Sequence, residues 1–222
     1  MKPIKKPPQL LISYTEHLLE AGCDEAGRGC LAGPVFAAAV IIGSNFRCSG
    51  LNDSKQLTPE QRNVMRKYIE ENALAWAVAS VDNQTIDRIN ILQASYLAMH
   101  EAVKKLKIKP ELLLIDGNRF LPFPGIPHQC FVKGDAKFVS IAAASILAKT
   151  HRDEFMEHIH NELPQYGWNK NKAYPTAAHI KAIEEYGFSK YHRKSFAIKK
   201  LKDGTGRHQS GDARQTVLIQ GL

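Results

Sequence analysis

Between residues 74 and 160 the chain alternates short apolar runs with helical stretches, and this alternation narrows the fold more than any other feature. Residues 74–81 read as a strand, 91–106 as an amphipathic helix and 111–115 as a short strand that is wholly apolar after Glu111. Residues 129–133 read as a further strand and 138–160 as a helix whose first half is nearly all small or apolar, as expected of a helix pressed against a sheet. Upstream, 18–23 runs apolar into Asp24 and Glu25, and after a Gly-rich turn 35–43 is a buried strand rich in Val, Ile and Ala. The expected class is α/β, one domain on a central sheet flanked by helices.

Helix boundaries are marked by their caps. Thr58, Pro59 and Gln61 form a helix-start signature with a capping box, opening a helix over 59–71. Pro175 or Thr176 opens a later helix that Gly187 closes. Residues 1–17, with Pro3, Pro7 and Pro8, are expected to be a loose leader, 18–187 the catalytic domain, and 188–222 a basic, helical C-terminal appendage ending in a solvated tail.

Charge and cysteine usage exclude several classes. The net charge is +8, with 8 basic and 2 acidic residues in 187–222 alone, which suits a polyanionic partner. Cys23, Cys30, Cys48 and Cys130 lack zinc-site spacing and read as reduced thiols, so a cytoplasmic location is expected. No signal peptide or membrane span is legible, and no membrane partner is expected.

Three acidic sites stand apart from the helix-face carboxylates. Asp24 with Glu25, Asp116 and Asp135 each fall at the carboxyl end of an expected strand, where open α/β sheets place their ligands. A single such Asp is usually a turn residue or helix cap. Three sites in one basic chain shift the balance toward a nuclease. Four converging carboxylates would repel one another unless cations sat among them, and oxygen-only donors suit Mg²⁺ or Mn²⁺. Two such ions about 3.5–4 Å apart serve in-line phosphodiester hydrolysis.

The run from Gly22 to Val35, GCDEAGRGCLAGPV, closely resembles the signature of bacterial ribonuclease HII. The resemblance continues through NDSKQL at 52–57, LIDG at 114–117, KGD at 133–135, SIAAASILAKTHRD at 140–153, YPT at 174–176 and HRKSF at 192–196. It covers roughly Leu18 to Phe196 in the family's order and implies a ribonuclease H-like fold with a central mixed sheet.

The implied activity is cleavage of the RNA strand of RNA–DNA hybrids, and cleavage 5′ of single ribonucleotides in duplex DNA. The products would carry 3′-OH and 5′-phosphate ends, and the roles would be ribonucleotide removal and primer removal in replication. By the match, Asp24, Glu25, Asp116 and Asp135 hold two divalent cations, Mg²⁺ or Mn²⁺. Gly27, Arg28 and Gly29 match the loop that grips the nucleotide at the RNA–DNA junction, where glycines let the backbone approach a 2′-OH. Tyr174 matches the tyrosine that stacks on the neighbouring deoxyribose, and Lys55 a phosphate-contacting lysine. Lys190, Arg193, Lys194, Lys199 and Lys200 fit a phosphate-backbone track on the C-terminal helix.

Lys149, His151, Arg152 and Asp153 are expected on a charged outer helix face. Cys30 stands where the family usually has Pro, and Ala173 where Gly usually precedes Tyr-Pro; a positive φ at Ala173 would be strained. The chain is expected to be a monomer. The rival readings are a ribonuclease HIII-type hybrid nuclease, disfavoured by Arg28, and a non-catalytic nucleic-acid-binding module, which has no need of four strand-end carboxylates.

Overall fold

The computed structural model describes residues 10–47, 51 and 57–197. The chain order is β1 (Glu20–Ala26), β2 (Val35–Ile41), α1 (Pro59–Asn72), β3 (Ala75–Val81), α2 (Asn83–Lys104), β4 (Leu112–Asp116), β5 (His128–Phe131), α3 (Val139–Glu162), α4 (Trp168–Asn171) and α5 (Ala177–Tyr186). The five strands form one sheet in the order β3-β2-β1-β4-β5. β2 runs antiparallel to both β1 and β3, whereas β1, β4 and β5 are mutually parallel. The sheet is therefore mixed, and the carboxyl ends of its three parallel strands lie on one edge.

Strand alternation feeds two cores. Ala37, Ala39 and Ile41 face Ala94, Ala98 and Ala102 of α2, while Ala38 and Val40 face Ala142, Ile146 and Leu147 of α3, with Ile69 of α1. The approach of α3 to β1 is close enough to require Gly22, because a Cβ there would stand 2.2 Å from the Ser140 carbonyl carbon. Among the described residues no helix is long and apolar enough to cross a membrane.

The expected caps are present. The Gln61 N–H donates to Thr58 Oγ1 and the Thr58 N–H to Gln61 Oε1, closing the capping box on α1. Thr176 caps α5, and Gly187 ends it at φ 73°. The helix expected over 91–106 is the second half of α2. Its first half is capped by Asp82, and the two halves meet at Asn90, whose φ of 65° breaks the helix while its side chain accepts from the Leu92 and Gln93 N–H groups.

Two terminal expectations are corrected. The leader is docked from Leu10 onward: Leu11 exchanges main-chain hydrogen bonds with Lys137 and Val139, and the Glu20 carboxylate accepts from Tyr14 and Thr15. The stretch 188–197 contains no helix. Its polar groups are used in tertiary contacts instead: Asp87 accepts from the Lys194 and Ser195 N–H groups, and the Asn83 side chain donates to the Lys190 and His192 carbonyls. Lys55, Lys199 and Lys200 lie outside the described residues.

Candidate active site

The carboxylates gather where the parallel strands end. Asp24 and Glu25 lie within the last three residues of β1, and Asp116 is the last residue of β4. Beyond β5 the chain makes a single 3₁₀ turn, Gly134–Ala136, which carries the half-buried Asp135. The Gly134 N–H donates to Asp116 Oδ1 at 2.7 Å, so Asp135 directly follows the residue that holds Asp116.

Asp24 is only 6% exposed and accepts at Oδ1 from the Glu25 N–H at 2.7 Å. The Ser145 side chain, on α3, also hydrogen-bonds to it. Burial, then the negative charges of Glu25 and Asp116, push its carboxyl well above the ordinary range. Glu25 is raised too, chiefly by burial, although Arg28 donates to its Oε1 at 3.0 Å and opposes the shift. Asp116 contributes to both shifts, so these three carboxyls share one electrostatic neighbourhood.

The donor set suits hard cations: it is all oxygen, and Arg28 at Glu25 offsets only part of its negative charge. Among the described residues no three His, Cys, Asp or Glu side chains are gathered at ligand spacing. Glu25 is turned to Arg28 and Asp116 to the Gly134 amide. The strand ends thus bring the carboxyls together without closing them into a cage.

Beside them, Gly27 has φ 97°, and a Cβ on it would stand 2.1 Å from Arg152 Nε. Arg28 and Gly29 are exposed, with nothing within 4 Å of a Cβ placed on Gly29. Tyr174 is 43% exposed. It follows Lys172 and Ala173 at φ 47° and 64°, so the strain that Ala173 carries at a positive φ is present. Asn171 holds this turn, its Oδ1 accepting from the Ala173 N–H and its carbonyl from the Tyr174 N–H. A cleft of about 890 Å³ opens next to Tyr174, lined by Arg62, Lys67, Lys149 and Lys170 among others, and none of the four carboxylates borders it.

The proposed basic track divides. Lys190 pairs with Glu162 at 2.5 Å, and Lys194 is exposed. Arg193 is 1% exposed and donates to the Gly33 and Arg28 carbonyls, so it is not part of a surface track. Arg152 is also buried rather than on an outer face. A signal for this was present, since it stands four residues from both Ala148 and Met156, on the buried stripe of α3. Nothing in the local sequence marked Ser145 or Asp87, whose partners come from distant elements.

Residues 21–199 match the family model described as Ribonuclease HII. A Ribonuclease HII of Bacteroides thetaiotaomicron is 58% identical over 196 residues, spanning 88% of this chain and 97% of that protein. One from Parabacteroides distasonis is 57% identical over 190 residues, spanning 85% and 96%. The crystal structure of the ribonuclease H2 from Pyrococcus horikoshii is similar with a TM-score of 0.68 and 26% identity, covering 81% of this chain and 94% of that one.

Proposed function

The chain belongs to the ribonuclease HII family and is a ribonuclease H enzyme of that type; on that premise we propose that it cuts the RNA strand of RNA–DNA hybrids and cuts 5′ of single ribonucleotides in duplex DNA. The observation that supports this most is the shared neighbourhood of Asp24, Glu25 and Asp116 at the edge where three parallel strands end, with Asp135 on the adjoining turn.

In this reading Asp24, Glu25, Asp116 and Asp135 hold two divalent cations, Mg²⁺ or Mn²⁺. When bound, such ions activate a water and stabilise the charge that develops on the attacked phosphodiester and the departing oxygen. The exposed Arg28–Gly29 backbone approaches the 2′-OH, which is read and not used as nucleophile. Tyr174 stacks on the deoxyribose beyond the junction, and Lys194, with Lys55, Lys190, Lys199 and Lys200, contacts phosphates. The products carry 3′-OH and 5′-phosphate ends. The enzyme acts as a cytoplasmic monomer in ribonucleotide and primer removal.

The test is incubation with a labelled RNA–DNA hybrid or an all-DNA duplex, in Mg²⁺ or in EDTA, with binding followed separately. Cleavage of the hybrid alone, lost in EDTA while hybrid binding persists, is expected. Binding without cleavage by folded protein in Mg²⁺ or Mn²⁺ would leave a nucleic-acid-binding module.

A further inference from the structure

Arg152 and Arg193 are each 1% exposed, and a buried guanidinium is costly unless its donors are well used. Arg152 directs all three of its nitrogens to main-chain carbonyls, and Arg193 directs Nε and Nη1 to them while its Nη2 is buried without a hydrogen-bond partner among the described residues. Arg193 donates from Nε to Gly33 and from Nη1 to Arg28, both at 3.0 Å. Arg152 donates from Nη1 to Lys172 at 3.0 Å, from Nη2 to Ala32 at 3.3 Å and from Nε to Pro34 at 3.4 Å. Burial lowers the Arg193 guanidinium to about 10, which leaves it charged at neutral pH.

These acceptors belong to two segments. Arg28 to Pro34 continue the loop that starts at Gly27, and Lys172 lies two residues before Tyr174. Main-chain bonds reinforce the link: the Leu31 N–H donates to the Ala173 carbonyl, the Arg193 N–H to Leu31 and the Gly33 N–H to Tyr191. Lys172 and Ala173 hold left-handed backbone angles that local preference does not favour; Asn171 shapes this turn locally, and the tertiary bonds from Arg152 and Leu31 tie it to the loop and so set where Tyr174 stands relative to Gly27–Gly29. From outside, Asp87 anchors the Arg193 segment by accepting from the Lys194 N–H, the Ser195 N–H and Ser195 Oγ at 2.9, 2.9 and 2.6 Å.

We infer that Arg193 and Arg152 are positioning residues for junction choice, bracing the Gly27–Gly29 loop and Tyr174 at one fixed separation. With that separation set, a ribose at the loop and a deoxyribose under Tyr174 are read together only on adjacent nucleotides. The inference rests on the junction reading of the loop and Tyr174 given above. A uniform hybrid presents no RNA-to-DNA step within its run, so the brace bears on the choice between substrates more than on the chemistry.

The test compares kcat/KM on a duplex with one ribonucleotide and on a uniform hybrid, with thermal unfolding measured for each variant. Arg193→Gln is expected to lower the single-ribonucleotide-to-hybrid ratio about tenfold, as a misplaced contact does. Arg193→Lys, which keeps a donor for one carbonyl, is expected to recover part of it. Tyr174→Ala is expected to lower the same ratio, and the double variant to lower it no further, because both act through one contact. Equal losses on both substrates, or a double variant whose effects multiply, would reduce Arg193 to a core residue. If Arg193→Gln does not fold, Asp87→Asn loosens the same segment from the surface and should lower the ratio by a smaller factor. An unchanged ratio in folded Asp87→Asn would overturn the brace. An unchanged ratio in Tyr174→Ala would remove the junction reading itself, and the brace with it.

Discussion

The Gly134 N–H donates to Asp116 Oδ1 at 2.7 Å, so the carboxylate that ends β4 and the turn that carries Asp135 are held as one unit. A Cβ on Gly134 would stand 2.7 Å from Ile141 Cδ1 and 3.4 Å from Asp116 Oδ1. The isoleucine tip can yield, but the turn shifts with it. Gly134→Ala should therefore cost about 1 kcal/mol of stability and lower turnover about tenfold or more. Denaturant unfolding beside steady-state kinetics checks both. A variant with full turnover would show that this bond does not set the site.

Asp24 is buried among like charges, an arrangement that opposes folding unless a cation sits among them. In EDTA, Asp24→Asn should melt higher than the parent protein, while its turnover in Mg²⁺ falls at least about a thousandfold. Hybrid binding should persist, since the lysines are untouched. Calorimetry and single-turnover cleavage test this, and near-normal turnover would take Asp24 out of the site.

The β-strands and helices were largely legible because the apolar period and the caps at Thr58, Thr176 and Gly187 are local signals. The carboxylates were legible for a related reason: strand ends can be read locally, and the parallel order of β1, β4 and β5 then brings them to one edge. The C-terminal segment was not. Its basic residues suggested a surface helix, but Gly187 stops α5 and Arg193 turns inward to carbonyls about 160 positions away in sequence. Such long-range bonds leave no periodic trace.

A buried histidine pair supplies a pH dependence. His192 Nδ1 accepts from the Ser189 N–H, so its proton lies on Nε2, facing His179 Nε2 at 3.3 Å. His179 Nε2 also accepts from Trp168 Nε1, which leaves Nδ1 to donate to the Tyr174 carbonyl. Burial, with the neighbouring His179, lowers His192 from 6.5 to about 4. The unfolded chain therefore takes up this proton first as the pH falls, so the contribution is full above 6.5 and drains between 6.5 and 4. The melting temperature should fall by several degrees across that window. In His192→Gln the starting value should be lower and the acid-side fall smaller; an unchanged pH slope would assign the effect elsewhere.

Lys194 and Lys190 should differ as phosphate contacts. Lys194→Ala is expected to make the slope of log affinity against log salt shallower by about 1 without moving the cut. Lys190 is already paired with Glu162, and Lys190→Ala should change the slope less. Hybrid binding across a salt series distinguishes them, and a shifted cleavage position in Lys194→Ala would contradict a backbone role.

If the strand-end carboxylates form a metal-dependent centre that reads one ribonucleotide in DNA, the mapped cleavage of an end-labelled DNA duplex carrying a single ribonucleotide, in Mg²⁺ or Mn²⁺, with and without EDTA, will show it. One cut 5′ of the ribonucleotide is expected, leaving a 3′-OH and a 5′-phosphate, with no cut in EDTA. A cut that survives EDTA, or an intact duplex where the uniform hybrid is cleaved, would rule such a centre out.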